Sequence, residues 1–278
     1  MKKTSSNYGV GYSQRGITLE DAVVALGDLV LPRDCIVCGR QLRMKEKHLC
    51  IYCMADLPLT YFWDRVHNPM ADKFNAKVQE ILAHGDTERY EYATALFFYQ
   101  SESGYKKIPQ QLKYHSNLSA GRFFSHLLGL EMGDSPIYQD VDCIIPVPLY
   151  WSRKWERGYN QAAIVAQEIA NILGAPVNTD VLYRAKHTKT QTKLSVEEKR
   201  NNVSKAFKIH NKALASLMGV RHILLVDDVF TTGATLTACF TVLRKALSTY
   251  PPPTSSAGTA ERPYVRISIA TLGFVSNI

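Results

Sequence analysis

The sequence predicts an α/β domain built on a mostly parallel sheet flanked by helices, preceded by a small module that carries four cysteines. Three observations predict it. From Ala93 onward, short apolar runs alternate with amphipathic stretches at helical spacing, the pattern of strands joined by crossover helices. One run, Ile223 to Val226, ends in Asp227 and Asp228 and leads through Val229 and Phe230 into Thr231-Thr-Gly-Ala-Thr235. Ahead of all this, two Cys-x-x-Cys pairs fall between Cys35 and Cys53.

The elements follow in order. Residues 1–17 read as a flexible tail, polar and rich in Gly and Ser. Residues 18–60 hold a short amphipathic helix (Leu19, Val23, Leu26, Val30), ended by Pro32, and then the cysteine module. Residues 61–92 are aromatic and mixed, a linker or hood with helical pieces. The main domain spans 93–278. Its strands are Thr94–Tyr99, Cys143–Val147, Ile223–Val226 and Val265–Thr271. Its helices are Tyr105–Tyr114, Leu118–Leu130, Gln161–Leu173, closed by Gly174 and Pro176, and Thr235–Leu247. Gly133–Pro136 and Pro251–Pro263 read as loops. Arg184–Asn202, polar and weakly patterned, reads as a loop that orders on a ligand.

Bulk composition narrows the classes. The chain has 278 residues, of which 46% are apolar, enough for a full core and against a disordered or fibrous protein. Net charge is +8, from 33 Lys and Arg against 25 Asp and Glu. That excess suits an anionic partner, a phosphorylated metabolite or nucleic acid, although many soluble proteins are mildly basic for no specific reason. No run approaches the ~18 apolar residues of a membrane span. The first residues lack the apolar centre of a signal peptide, so the expected location is cytoplasmic, with no membrane contact.

Cys35, Cys38, Cys50 and Cys53 place four thiols on two tight turns, an arrangement that can converge tetrahedrally on Zn²⁺. Four protein ligands leave no open position, so such a site is structural. Disulfides and a redox pair are the competing readings; a cytosolic chain disfavours the first, and no thioredoxin-like context supports the second. His48 reads as a bystander, and Cys143 and Cys239 as ordinary buried thiols.

The segment from Ile223 to Thr235 carries the chemistry. A buried strand delivers Asp227 and Asp228 at its carboxyl end, where open α/β sheets bind ligands. Thr231, Thr232, Gly233, Ala234 and Thr235 then form a turn whose N–H groups and hydroxyls, with the helix N-terminus, can cradle a phosphate. The two carboxylates can grip vicinal hydroxyls of a sugar, close to a Mg²⁺. The plainer alternative is an Asp cap and turn threonines, which leaves the costly adjacent acids unexplained.

This segment resembles the 5-phosphoribosyl-1-pyrophosphate (PRPP) signature of type I phosphoribosyltransferases. Ile145-Pro-Val-Pro-Leu149, Arg153-x₃-Arg157-Gly-Tyr-Asn-Gln161, Arg184-x₃-Thr188-x₂-Gln191 and Arg200-x-Asn202-Val203 follow the order of the ComF family, which includes ComFC and GntX proteins. The resemblance covers about residues 20 to 278. It implies a zinc module ahead of a phosphoribosyltransferase-like domain. It puts the pyrophosphate loop at Val147, Pro148 and Leu149, and phosphate or acceptor recognition at Arg153, Arg157, Asn160 and Gln161. Arg184, Gln191 and Arg200 would meet the pyrophosphate from the closing loop. Arg157 and Asn160, three apart, are expected to share a helix face, although capping and loop bracing explain Asn160 equally well. Lys113 is a weaker candidate for the acceptor side.

The implied activity is transfer of phosphoribosyl from PRPP to a nitrogen acceptor of unknown identity, with Mg²⁺ on the pyrophosphate and Asp227, Asp228, Arg184 and Arg200 as the catalytic groups. An acid that some relatives carry just after the pair is replaced here by Val229 and Phe230. The alternative is a non-catalytic PRPP sensor or adaptor in competence-related uptake of single-stranded DNA, beside a helicase, with Tyr61, Phe62 and Trp63 as contacts unless they are linker core. A homodimer is common for the fold class.

Overall fold

The computed structural model describes residues 27, 32–81, 88–114, 117–185, 206–249 and 264–276. The tail, all of the first helix except Gly27, the loop beyond residue 185 and the Pro251–Pro263 insertion lie outside the described residues. The chain divides into two compact units, Met1–Asp56 and Leu57–Ile278.

In the first unit the chain turns back on itself at Cys35–Gly39. Gly39 takes φ +72° and its N–H donates to the Cys35 carbonyl at 2.9 Å, which brings the second cysteine of the pair beside the first. A bridge between Asp34 and Gln41 closes this knuckle. The second pair brackets the start of helix α1 (Ile51–Ala55), with Cys50 as its N-cap residue.

The second unit is a four-stranded, wholly parallel sheet in the order β1 (Ala93–Tyr99), β6 (Arg266–Val275), β5 (His222–Phe230), β2 (Cys143–Pro146). The central strands are apolar through most of their length because both faces are covered. Helices α4 (Leu118–Asp134) and α6 (Gln161–Leu173) pack on one face, and α2 (Pro69–Ile81) and α7 (Ala234–Thr249) on the other. Pro146 ends β2 without harm, because it lies at the end of an edge strand whose outer pairing stops at the Ile144–Val177 bridge. Among the described residues no helix is long and apolar enough to cross a membrane.

The aromatic stretch after residue 60 is core, the favoured reading of those rings: Phe62 and Trp63 are each 2% exposed, and only Tyr61 faces solvent. The same region holds α2, one of the helical pieces expected there, whose Met70, Ala71, Phe74 and Val78 are buried at helical spacing. Several other expectations shift. Gly133 and Asp134 finish α4 and are not a loop. β5 runs through both acids to Phe230, four residues past Val226, because its register with β6 continues to Phe230↔Phe274. A separate antiparallel pair, β3 (Leu182–Arg184) and β4 (Phe207–Ile209), flanks the segment read as a loop. A short helix α5 (Trp151–Arg157) precedes α6, and α3 (Lys107–Tyr114) follows a 3-10 turn at Gly104–Lys106.

Candidate functional site

At the carboxyl ends of β2 and β5 lies a cleft of about 210 Å³. Elements far apart in sequence meet there. β5 supplies Asp227 and Asp228, and α7 supplies Thr235 from its first turn. The loop after β2 supplies Val147, Pro148 and Leu149. α5 turns Arg153 and Arg157 inward, the start of α6 adds Asn160 and Gln161, β3 adds Arg184, and α3 adds Lys113. Thr231, Thr232, Gly233 and Ala234 form the adjoining strand-to-helix turn but do not line this cleft. Gln191 and Arg200 lie outside the described residues.

The turn is held tightly. Gly233 has φ +78°, and a Cβ there would come within 2.5 Å of the Phe230 ring. The Thr237 hydroxyl and N–H both donate to the Gly233 carbonyl at 2.9 Å. The Thr231 and Thr232 side chains remain exposed. Lys73 of α2 donates to the Thr231 carbonyl at 3.2 Å, a cation beside the turn that the sequence did not single out.

The acids sit among cations. Lys113 Nζ lies 2.9 Å from Asp228 Oδ2. The Asp228 N–H donates to Asp227 Oδ1 at 2.9 Å. Burial, and then the charge of Asp228, push the Asp227 carboxyl up to about 7, against the pull of that N–H, Lys113 and Arg184. Burial, and then the neighbouring charge of Arg153, lower the Arg184 guanidinium; its Cζ stands 5.3 Å from the centroid of the Phe207 ring. Arg184 is therefore the last residue of a strand with a half-buried side chain, where the sequence suggested the mouth of a mobile loop.

Asn160 braces the site. It caps α6 by accepting from Ala162 N–H at 3.2 Å, and its amide donates to the Val147 carbonyl at 3.0 Å. The expected shared face with Arg157 is not there: Gly158, at φ +79°, ends α5 and breaks the helix between them. Gln161 is 2% exposed, lines the cleft, and its Nε2 has no hydrogen-bond partner among the described residues. A buried amide donor left so is costly unless a ligand accepts from it.

A hydrogen-bonded line of Asp140, His222 and Ser268 resembles a hydrolase triad in composition, with His222 Nδ1 2.7 Å from Asp140 and Nε2 2.8 Å from Ser268 Oγ. Ser268 is fully buried and the line sits at the amino ends of the strands, away from the cleft, so its role is structural.

In the first unit the thiols of Cys35, Cys38, Cys50 and Cys53 lie within 4.8 Å of one another. Cys38 and Cys50 Sγ are 3.7 Å apart, close to the ~3.8 Å edge of a tetrahedron with metal–sulfur bonds of about 2.3 Å. Burial raises the Cys35 thiol, but N–H groups of Cys38, Cys50 and Val37 outweigh it and bring it down to about 7. Burial and the neighbouring thiols push Cys53 up. Glu46 splints the knuckle by accepting from the N–H groups of Arg43 at 2.7 Å and Ile51 at 2.8 Å. Cys143 and Cys239 are buried free thiols, as expected.

The described residues thus hold a parallel α/β sheet with paired acids and a hydroxyl-rich turn at its carboxyl edge, and the first unit holds a four-cysteine cluster, the combination that the motifs predict. Several known proteins are similar to the chain. The chain is 29% identical over 222 residues to competence protein F of Haemophilus influenzae, covering 79% of this chain and 88% of that one. It is 34% identical over 129 residues to the DNA utilization protein YhgH of Escherichia coli O157:H7, covering 45% of this chain and 55% of that one. A solved structure of glutamine PRPP amidotransferase from B. subtilis, complexed with ADP and GMP, aligns with 46% of this chain and 24% of its own at TM-score 0.31 and 18% identity. No family model matches. The likeness to competence protein F extends over most of both chains, as the order of the motifs predicts.

Proposed function

We propose that the cleft binds PRPP and that the chain is a phosphoribosyltransferase-like protein of the ComF type. The observation that carries this reading is the charge balance of one cavity: Arg153, Arg157, Arg184 and Lys113 face two carboxylates. Such a site favours a ligand with several negative charges and hydroxyls for the acids to hold. In a transfer reaction Asp227 and Asp228 hold the ribose hydroxyls and favour positive charge on the ring. The arginines meet the departing pyrophosphate, while a nitrogen acceptor attacks the anomeric carbon. The turn at Thr231–Thr235 offers N–H groups and hydroxyls to the 5-phosphate.

Two carboxylates in a cleft fit a hard cation that brings most of its oxygen ligands from a phosphorylated substrate, as Mg²⁺ does. Asp227, beside the Asp228 that Lys113 pairs with, would take it, and the ion would neutralise charge on the pyrophosphate. The four clustered thiols fit structural Zn²⁺. Calorimetric titration of PRPP with and without Mg²⁺ tests the reading. Binding that needs the ion and is lost in Asp227→Asn/Asp228→Asn supports it. A parent protein that does not bind PRPP refutes it.

A second reading, an adaptor in DNA uptake, draws on the printed names of the relatives and on one surface. The outward face of α5 presents Trp151 and Trp155, 67% and 88% exposed, with Lys154 beside them. Bases of single-stranded DNA stack on such rings. Phe62 and Trp63 are buried, the linker-core reading of residues 61–63, so α5 and not that stretch offers a pair of exposed rings. Salt-dependent retardation of single-stranded DNA that Trp151→Ala/Trp155→Ala abolishes would favour it; equal retardation by the variant counts against it.

A further inference from the structure

Tyr159 lies between Gly158, which ends α5, and Asn160, which caps α6. Its hydroxyl reaches across to α3 and donates to the Leu112 carbonyl. That carbonyl belongs to the last turn of α3, where the helix has no N–H of its own to offer. The Leu112 side chain is fixed as well: it is fully buried against Gly121 of α4, so closely that a Cβ there would come within 2.2 Å of it. With Leu112 held by its backbone and its side chain, the next residue, Lys113, is directed at Asp228, 2.9 Å away. Asp228 is 7% exposed, so this is not a surface ion pair of negligible weight.

We propose that Lys113 is a specificity-determining latch on Asp228, positioned by Tyr159, which admits a ligand that brings both a vicinal diol and nearby anionic oxygens. The inference rests on the phosphoribosyl reading above and names what the site selects for. A diol that takes Asp228 must displace the ammonium. The displaced charge then adds to those of Arg153, Arg157 and Arg184 in the same cleft. Anionic oxygens on the ligand's sugar carbon can accept it; without them the exchange is uphill. Ribose 5-phosphate offers the diol with its phosphate at the far end, and leaves the ammonium among arginines. Pyrophosphate offers the charge and leaves the Lys113–Asp228 pair undisturbed. A pyrophosphorylated ribose supplies both.

The test is calorimetry on the full chain with three probes, ribose 5-phosphate, pyrophosphate and PRPP, for the parent, Lys113→Met and Tyr159→Phe. The ratio of the ribose 5-phosphate to the PRPP dissociation constant should fall about tenfold or more in Lys113→Met, the range expected for one charge-assisted hydrogen bond. Tyr159→Phe should move the ratio the same way, by roughly threefold, the weight of a neutral hydrogen bond, and leave pyrophosphate affinity unchanged. Lys113→Gln serves as well if the Met variant does not fold. A ratio unchanged in the Lys113 variant while the parent binds PRPP overturns the latch. Equal weakening of all three probes in Tyr159→Phe overturns its positioning role. A parent that binds no PRPP overturns the phosphoribosyl reading and the latch with it, an outcome distinct from both.

Discussion

Replacing Gly233 by alanine tests how the phosphate-type turn is held. The residue sits at φ +78°, where an L side chain costs roughly 1–2 kcal/mol. The added Cβ would also meet the Phe230 ring, with the nearest ring carbons at 2.5, 3.0 and 3.3 Å. That ring is not free to swing away: Phe230 is 1% exposed, and its centroid lies 5.8 Å from that of Phe274. Overpacking of this kind costs about 1–3 kcal/mol, so Gly233→Ala should lose about 2–5 kcal/mol in all. Urea unfolding reads this as a lower midpoint at unchanged m-value. The two contributions separate in a double-mutant cycle. In a Phe230→Leu background the contact is relieved and Gly233→Ala should cost only the ~1–2 kcal/mol of the left-handed backbone. If Gly233→Ala costs under about 0.5 kcal/mol, the size of an ordinary surface change, the close approach is not a constraint. If it costs the same in both backgrounds, Phe230 is not what the turn packs against.

Two further outcomes follow from the cysteine cluster and the acid pair. The protein as purified should carry one zinc ion per chain, with Cys35, Cys38, Cys50 and Cys53 reacting with a thiol reagent only after a strong chelator removes it; protein that purifies without zinc, its four thiols reactive before any chelator is added, contradicts the site. Asp227 has a folded pKa raised from about 4 to about 7, so the stability tied to its proton is fully present below pH 4 and is lost as pH rises through 7. Asp227→Asn cannot ionise, and should be the more stable protein at pH 8 by about 1–3 kcal/mol, with the gap closing toward pH 4. Parallel denaturation curves at the two pH values check this, and a parent as stable as the variant at pH 8 counts against a strained acid pair.

What could be read from the sequence was local. A four-residue apolar run, two acids and a threonine-glycine turn are contiguous, and the structure keeps them together. The cysteine pairs were legible for the same reason. β5 was cut short at Val226 because acids inside a strand break the apolar pattern; its length is set by pairing with β6, which the sequence of β5 does not contain. The β3–β4 pair escaped notice because each strand has three residues and its partner lies beyond the 186–205 segment. Helix α2 was legible in principle, since Met70, Phe74 and Val78 recur at four-residue steps, but the surrounding aromatics blurred its edges. Tyr159 stands inside the Arg157–Gln161 motif, but its own role could not be read there, because its partner is a carbonyl 47 positions away.

The cleft also shows why its residues break local rules together. Two adjacent carboxylates are unfavourable side by side, and burial pushes Asp227 up accordingly. Arg184, half-buried near Arg153, is unfavourable in the opposite sense. Neither set would be retained for stability, since apolar residues of similar size cost less in such positions. Lys113 on Asp228 and the opposite charges of Arg184 and Asp227 offset part of this, and among the described residues the Gln161 amide next to them has no acceptor. The incomplete relief is itself informative: a cleft that pairs its own charges and amides fully has nothing left to offer a ligand, whereas this one keeps cationic and N–H groups in excess of its two acids. The stability given up there is recovered in the apolar sheet beneath, where β5 and β6 are buried on both faces up to the residue before the acids.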